Sequence, residues 1–233
     1  MNGFFYVKNN KTHFAPLRLL ALVLLSVLLF CVVGCKKKID YFDYASEVRK
    51  NIFLAKTDNF SLRIYDSVKE SPYASDGVPQ ERFSRLDAYL HTPEGNKTVH
   101  FTFTFEEKNY GGEMSYDNVR GEYYYSASVP LSDSVRSLPC TIRYGEEEYE
   151  MTANSVLTET TLSPREALHA LQKYDNEVFS SMTDKYGFAG EIYVRLLYES
   201  APYYYFGVID RQGKCIAFLM NAETGKVLAK REN

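Results

Sequence analysis

The chain has 233 residues, 24% of them charged and 45% hydrophobic, with a formal net charge of −3. That composition excludes collagen-like, low-complexity and fully disordered chains, and 27 Lys+Arg against 30 Asp+Glu leaves no broad basic field for nucleic acid. The 4 Cys are too few and too scattered for a disulfide scaffold or a zinc module, and the length allows one or two domains, each with a core.

Residues 1–34 read as an address rather than as part of a fold. Lys8, Lys11 and Arg18 stand before the apolar run Leu19 to Val33, and no acid does. The run is broken only by Ser26 and is short for a membrane span, which needs about 20 residues, but fits a signal h-region. It closes on Val32-Val33-Gly34-Cys35. This exit resembles the lipobox of bacterial lipoproteins, in which an aliphatic and a small residue precede an obligatory Cys. The resemblance implies cleavage between Gly34 and Cys35, lipidation of the Cys35 sulfur, and an extracytoplasmic protein held at the cell membrane by its acyl chains, worth about 0.8 kcal/mol per buried CH2. Lys36, Lys37 and Lys38 follow at the level of the head groups. Residues 1–34 carry three cations and no acid, so the rest of the chain stands at −6 against −3 for the whole.

Residues 35–58 are expected to form a tether and a short amphipathic helix, because Val48, Ile52 and Phe53 recur at helical spacing opposite Glu47, Arg49 and Lys50. Residues 59–157 change to period two. Phe60-Leu62-Ile64, Val99-Phe101-Phe103-Phe105 and Tyr123-Tyr125-Ala127-Val129 alternate with polar or exposed positions, and 83–91, 140–144 and 148–153 are further strands. Turn chemistry separates them at Ser75-Asp76-Gly77, Pro93-Glu94-Gly95-Asn96, Tyr110-Gly111-Gly112 and Tyr144-Gly145. The expected fold class is mainly β, α+β, opening with an antiparallel β-sandwich.

Residues 158–233 read as a small helix-plus-antiparallel-sheet domain. Ser163-Pro164-Arg165-Glu166 is a capping box with Pro at the first helical position, and Leu168, Leu171, Tyr174, Val178 and Met182 make one apolar stripe to about Lys185. Strands follow at 191–198, 203–209, 214–220 and 226–230. The closing segment Cys215 to Leu228, with Asn221-Ala222-Glu223-Thr224-Gly225-Lys226-Val227-Leu228, resembles the last hairpin of PepSY-type domains, except that Asn221 stands where Asp is usual. That resemblance implies a topology and a possible role in peptidase regulation, and no functional residue.

No hydrolase elbow, zinc helix, phosphate loop or dinucleotide fingerprint is present, and His91, His100 and His169 are scattered, so no catalytic residue, metal or cofactor is expected. Tyrosine stands out: 20 Tyr and 15 Phe, with no Trp. Tyr123-Tyr124-Tyr125 and Tyr203-Tyr204-Tyr205-Phe206 put aromatics on both faces of their strands, and they are the candidate binding surface for a peptide, glycan or protein partner. The sequence therefore reads as a lipid-anchored envelope protein with a binding or structural role. A cell-wall hydrolase with carboxylates that cannot be paired from sequence, and a peptidase-regulating module, stay open beside it.

Overall fold

In the computed structural model, which describes residues 39–71, 78–92, 95 and 97–232, a 3-10 turn at Tyr41–Tyr44 leads into a strand, β1 (Ala45–Lys56). The expected signal segment, Gly34, Cys35 and the three lysines lie outside the described residues, as do Ser75-Asp76-Gly77 and most of Pro93-Glu94-Gly95-Asn96. The helix expected from Val48, Ile52 and Phe53 is therefore a strand. A β-bulge between Arg49 and Asn51 shifts the alternation, so that Val48 and Phe53, five residues apart, both turn to the core side opposite Val68 and Ile64. Neither the two-residue nor the helical period survives such a slip.

One edge of β1 pairs along its length with β2 (Ser61–Glu70). The other edge is divided. Ala45–Arg49 runs parallel to β12 (Gly190–Tyr198), and Phe53–Leu54 pairs antiparallel with β9 (Glu147–Ser155). Beyond β2 come β3 (Arg82–His91), β7 (Glu122–Ala127) and β6 (Ser115–Asp117). Beyond β9 come β8 (Ser137–Tyr144), β4 (Val99–Phe105) and β5 (Lys108–Glu113). Beyond β12 come β13 (Pro202–Asp210), β14 (Cys215–Asn221) and β15 (Val227–Glu232). β10 (Thr183–Asp184) and β11 (Gly187–Phe188) make a separate ribbon.

The fold is thus mainly β and almost wholly antiparallel, with a helical segment in its C-terminal part. The two layers expected of a sandwich are two arms of one sheet, curled until it is nearly closed into a barrel. Tyr125 bridges the gap, its ring 5.7 Å from that of Phe101 and close against Gly112. Inside lies a first core including Phe53, Leu62, Phe101, Phe103, Tyr123 and Ile142.

The β4–β5 turn falls at Glu106-Glu107, both at positive φ (48° and 61°), whereas Tyr110-Gly111-Gly112 lies within β5. Gly111 is needed there for a second reason: at φ 154° a Cβ would collide with the Phe101 carbonyl oxygen.

The C-terminal part packs α1 (Pro164–Tyr174) and α2 (Asn176–Ser181) on β1, β12, β13 and β14, around a second core that includes Val48, Leu171, Phe179, Val194, Tyr204 and Phe206. The capping box forms as read: Ser163 N–H donates to Glu166 Oε2 at 2.9 Å and Glu166 N–H to Ser163 Oγ at 3.3 Å. The expected single helix breaks at Asp175, whose carboxylate accepts from Val178 N–H and pairs with Lys230 at 2.9 Å. Tyr174, expected on the buried stripe, is consequently 61% exposed. The 223–225 turn forms on Asn221, whose Oδ1 accepts from Glu223 N–H, Thr224 N–H and Thr224 Oγ1. The amide oxygen serves there as a carboxylate would.

The two cores part between Ala153 and Ala167, around the boundary expected near Thr158. β1 nevertheless feeds both, Val48 and Ile52 into one and Phe53 and Ala55 into the other.

Candidate functional site

Alternation along β2 sends Leu62 and Ile64 to the core and Arg63, Tyr65, Ser67 and Lys69 to the other face. The pairing register then builds rows across that face. Tyr205 of β13, Arg195 of β12, Arg49 of β1, Ser67 of β2 and Arg85 of β3 stand side by side. Four strand spacings make the row roughly 19 Å long. Tyr193, Glu47 and Lys69 form a neighbouring row, and Arg63, Tyr89 and Tyr124 another.

These residues hold one another in a lattice. Tyr124 O–H donates to Asp87 at 2.8 Å and accepts from Arg85 at 2.6 Å, while Arg85 Nε reaches the same carboxylate at 2.8 Å. Lys69 lies 3.5 Å from Asp87 and 3.9 Å from Glu47, which also pairs with Arg195. Arg63 grips both oxygens of Glu122 at 2.8 Å. Guanidinium groups stack on rings: Arg49 lies 4.1 Å from the Tyr65 centroid and Arg195 4.7 Å from that of Tyr193.

The electrostatics follow from depth. The carboxylates lie low, with side chains no more than 14% exposed for Glu47, Asp87 and Glu122, while Arg63, Arg85 and Arg195 rise to 35–42%. The face therefore shows solvent its cations and phenols and hides its acids. Burial works against the Asp87 carboxylate, but hydrogen bonds from Arg85, Tyr124 and Ser126 outweigh it and hold the group below the usual carboxylate range. Desolvation lowers Arg49 despite the Tyr65 and Glu47 beside it. Arg49, Arg63 and Arg195 each keep a buried Nε–H that meets no acceptor.

Of the tyrosines singled out in the sequence, the structure brings Tyr124, Tyr203 and Tyr205 to this face. Tyr123, Tyr204 and Phe206 are 0–2% exposed and belong to the cores, and Tyr125 packs inward, because adjacent residues of a strand point to opposite faces. Sequence reasoning missed Arg49, Arg85, Arg195, Tyr65 and Tyr89. Only register puts them together, and register between β1 and β12 spans more than 140 residues.

A second polar site lies on the core side, where the two cores meet. A cleft of about 220 Å3 is lined by Lys50, Asp66, Asp133, Arg136, Glu166 and Tyr204, among others. Lys50 sits at the bulge and clasps Asp66 at 3.3 Å and Asp133 at 3.0 Å. Asp66 and Asp133 thus share one ammonium between them, which is not the open pair, facing a substrate from two sides, that glycoside hydrolysis uses.

Elsewhere, Cys140 and Cys215 are free thiols on β8 and β14. Burial pushes Cys140 up to about 12, which makes it a small hydrophobe rather than a nucleophile. No group of three or more His, Cys, Asp or Glu among the described residues is placed to hold a metal. Among those residues, no helix is long and apolar enough to cross a membrane. Comparison with family models, curated proteins and solved structures finds no match.

Proposed function

We propose that the protein is a lipid-anchored, extracytoplasmic binding protein whose tyrosine–arginine sheet face docks an acidic protein partner. The observation that carries the docking reading is the layering of charge: recessed Glu47, Asp87 and Glu122 under raised Arg63, Arg85 and Arg195. A cationic face of this kind complements an acidic surface. Tyr and Arg are also among the residues that concentrate binding energy at protein interfaces. The raised guanidinium groups of Arg63, Arg85 and Arg195, 35–42% exposed, supply donors for carboxylates. The anchoring half of the reading rests on the basic start, the apolar run and the Gly34-Cys35 exit.

Two experiments test the two halves separately. Cys35→Ser should release the chain from membranes and abolish lipid labelling; membrane retention without label contradicts the anchor. The full chain in detergent micelles, titrated with poly-glutamate, should bind in a salt-sensitive way and lose at least tenfold in affinity in Arg85→Ala/Arg195→Ala, but not in Arg211→Ala on the distant β13–β14 turn. Equal binding of polygalacturonate would reassign the face to anionic glycan, and an unchanged double variant would remove the face from the account.

A further inference from the structure

The cleft where the two cores meet has a chemistry opposite to that of the sheet face. Its buried donors are largely engaged. Lys50 Nζ uses its three hydrogens on Asp66, Asp133 and the Leu131 carbonyl, at 3.0–3.3 Å. Arg136 donates to the carbonyls of Asp133 and Val135 at 2.7 and 3.2 Å. Tyr204 O–H donates to the Leu162 carbonyl at 2.8 Å, and the first turn of α1 is closed by Ser163 and Glu166.

The acceptors are only half engaged. Asp66 is 2% exposed; its Oδ2 faces Lys50, and its buried Oδ1 receives nothing. Asp133 bonds through Oδ1 alone and Glu166 through Oε2 alone. Three carboxylates stand against the two cations Lys50 and Arg136, and Leu157, Leu162 and Pro164 give the cleft an apolar wall. A buried carboxylate oxygen without a donor is costly, and a ligand that brings a donor relieves it. At about 30 Å3 per water, 220 Å3 has room for roughly seven water-sized groups, the heavy-atom count of a five-carbon diamine.

We propose that this cleft binds an aliphatic primary amine, its ammonium donating to the free oxygens of Asp66 and Asp133 and its methylenes lying along Leu157, Leu162 and Pro164. The amine comes either from a free diamine or from a lysine side chain of a bound chain; the chemistry is the same. The proposal does not rest on the sheet face or on the anchor. Binding depends on pH through Asp66. Burial pushes its carboxyl up to about 6, against the pull of Lys50 and with Asp133 adding to the rise. The other charged groups lining the cleft are Arg136 and Glu166. Protonation of Asp66 adds a donor where the ammonium needs an acceptor, so affinity falls by about tenfold per pH unit below that point.

The test is calorimetric titration of the full chain in detergent micelles at pH 7.5 and 5 with 1,5-diaminopentane, N-acetyl-lysine amide and 1,5-pentanediol. Either amine should bind at pH 7.5 and weaken at pH 5, with no heat from the diol. Tighter binding of the diamine assigns the site to a free polyamine, and tighter binding of the lysine amide to a partner's side chain. Asp133→Asn, at a side chain 86% exposed, leaves the fold intact and should cost at least fivefold; Asp66→Asn should abolish the pH dependence. Binding of the diol as tightly as the amines, absence of heat from both amines, or an unchanged Asp133→Asn would overturn the proposal.

Discussion

Two aspartates on neighbouring strands carry opposite burdens. Asp66 points inward from β2, and burial raises it to about 6 from 3.8 although Lys50 pulls the other way. Asp87 points outward from β3, and Arg85, Tyr124 and Ser126 hold it down against its own burial. The signs are therefore opposed. The raised Asp66 binds its proton more tightly folded than unfolded, so it adds stability below about pH 4 that is lost as pH climbs through 6. The depressed Asp87 adds stability above the unfolded carboxylate range that is lost as pH falls through its folded value. In thermal melts, the wild type should gain on Asp66→Asn as pH drops from 7 to 4; a pH-independent gap would contradict the burial account. Tyr124→Phe removes the hydroxyl bonded to Asp87 and Arg85 and should cost about 1.5 kcal/mol at pH 7. That cost should shrink as pH falls through the folded value of Asp87, and denaturant titrations stepped downward from pH 7 check it.

At the scale of elements, α1 depends on its cap and its stripe. Ser163→Ala removes the acceptor for Glu166 N–H and should cost about 1 kcal/mol, while Leu171→Ala, at a fully buried position, should cost about 2–5 kcal/mol by equilibrium unfolding. Both rest on features written in the sequence, and so do β2, β4 and β7, whose alternation matches a sheet with one face in a core. The misread elements share a physical cause. β1 is paired on both edges, divides its core side chains between two cores and carries a bulge, so its apolar residues follow no single period. β5 was hidden because Gly111-Gly112 looks like a turn while the real turn uses Glu106-Glu107, residues with no preference for positive φ. At Asp175 the helix breaks at a residue that caps the next one through Val178 N–H and also pairs with Lys230, 55 residues away, and no local rule contains that second partner. The candidate face is the extreme case: each Tyr and Arg is plain in the sequence, but their assembly is a matter of register.

For the whole molecule, the decisive feature is that β1 belongs to both cores and carries β12 and β9 on one edge. Removing residues 159–233 would strip Ala45–Arg49 of a strand partner and bare Ala45 and Val48, so the remaining barrel should lose its cooperative melt; a sharp transition would show two separable domains. The same continuity makes the sheet face one surface, reaching from β13 of the C-terminal part to β7 of the N-terminal part. Its role as the docking surface is tested most directly by arginine footprinting. The full chain is treated with phenylglyoxal with and without poly-glutamate, and modification is read by mass spectrometry. The account predicts that Arg63, Arg85 and Arg195 are protected by the polyanion while Arg211 and Arg143 stay reactive. Uniform protection of all five, or protection confined to Arg211 and Arg143, would contradict it.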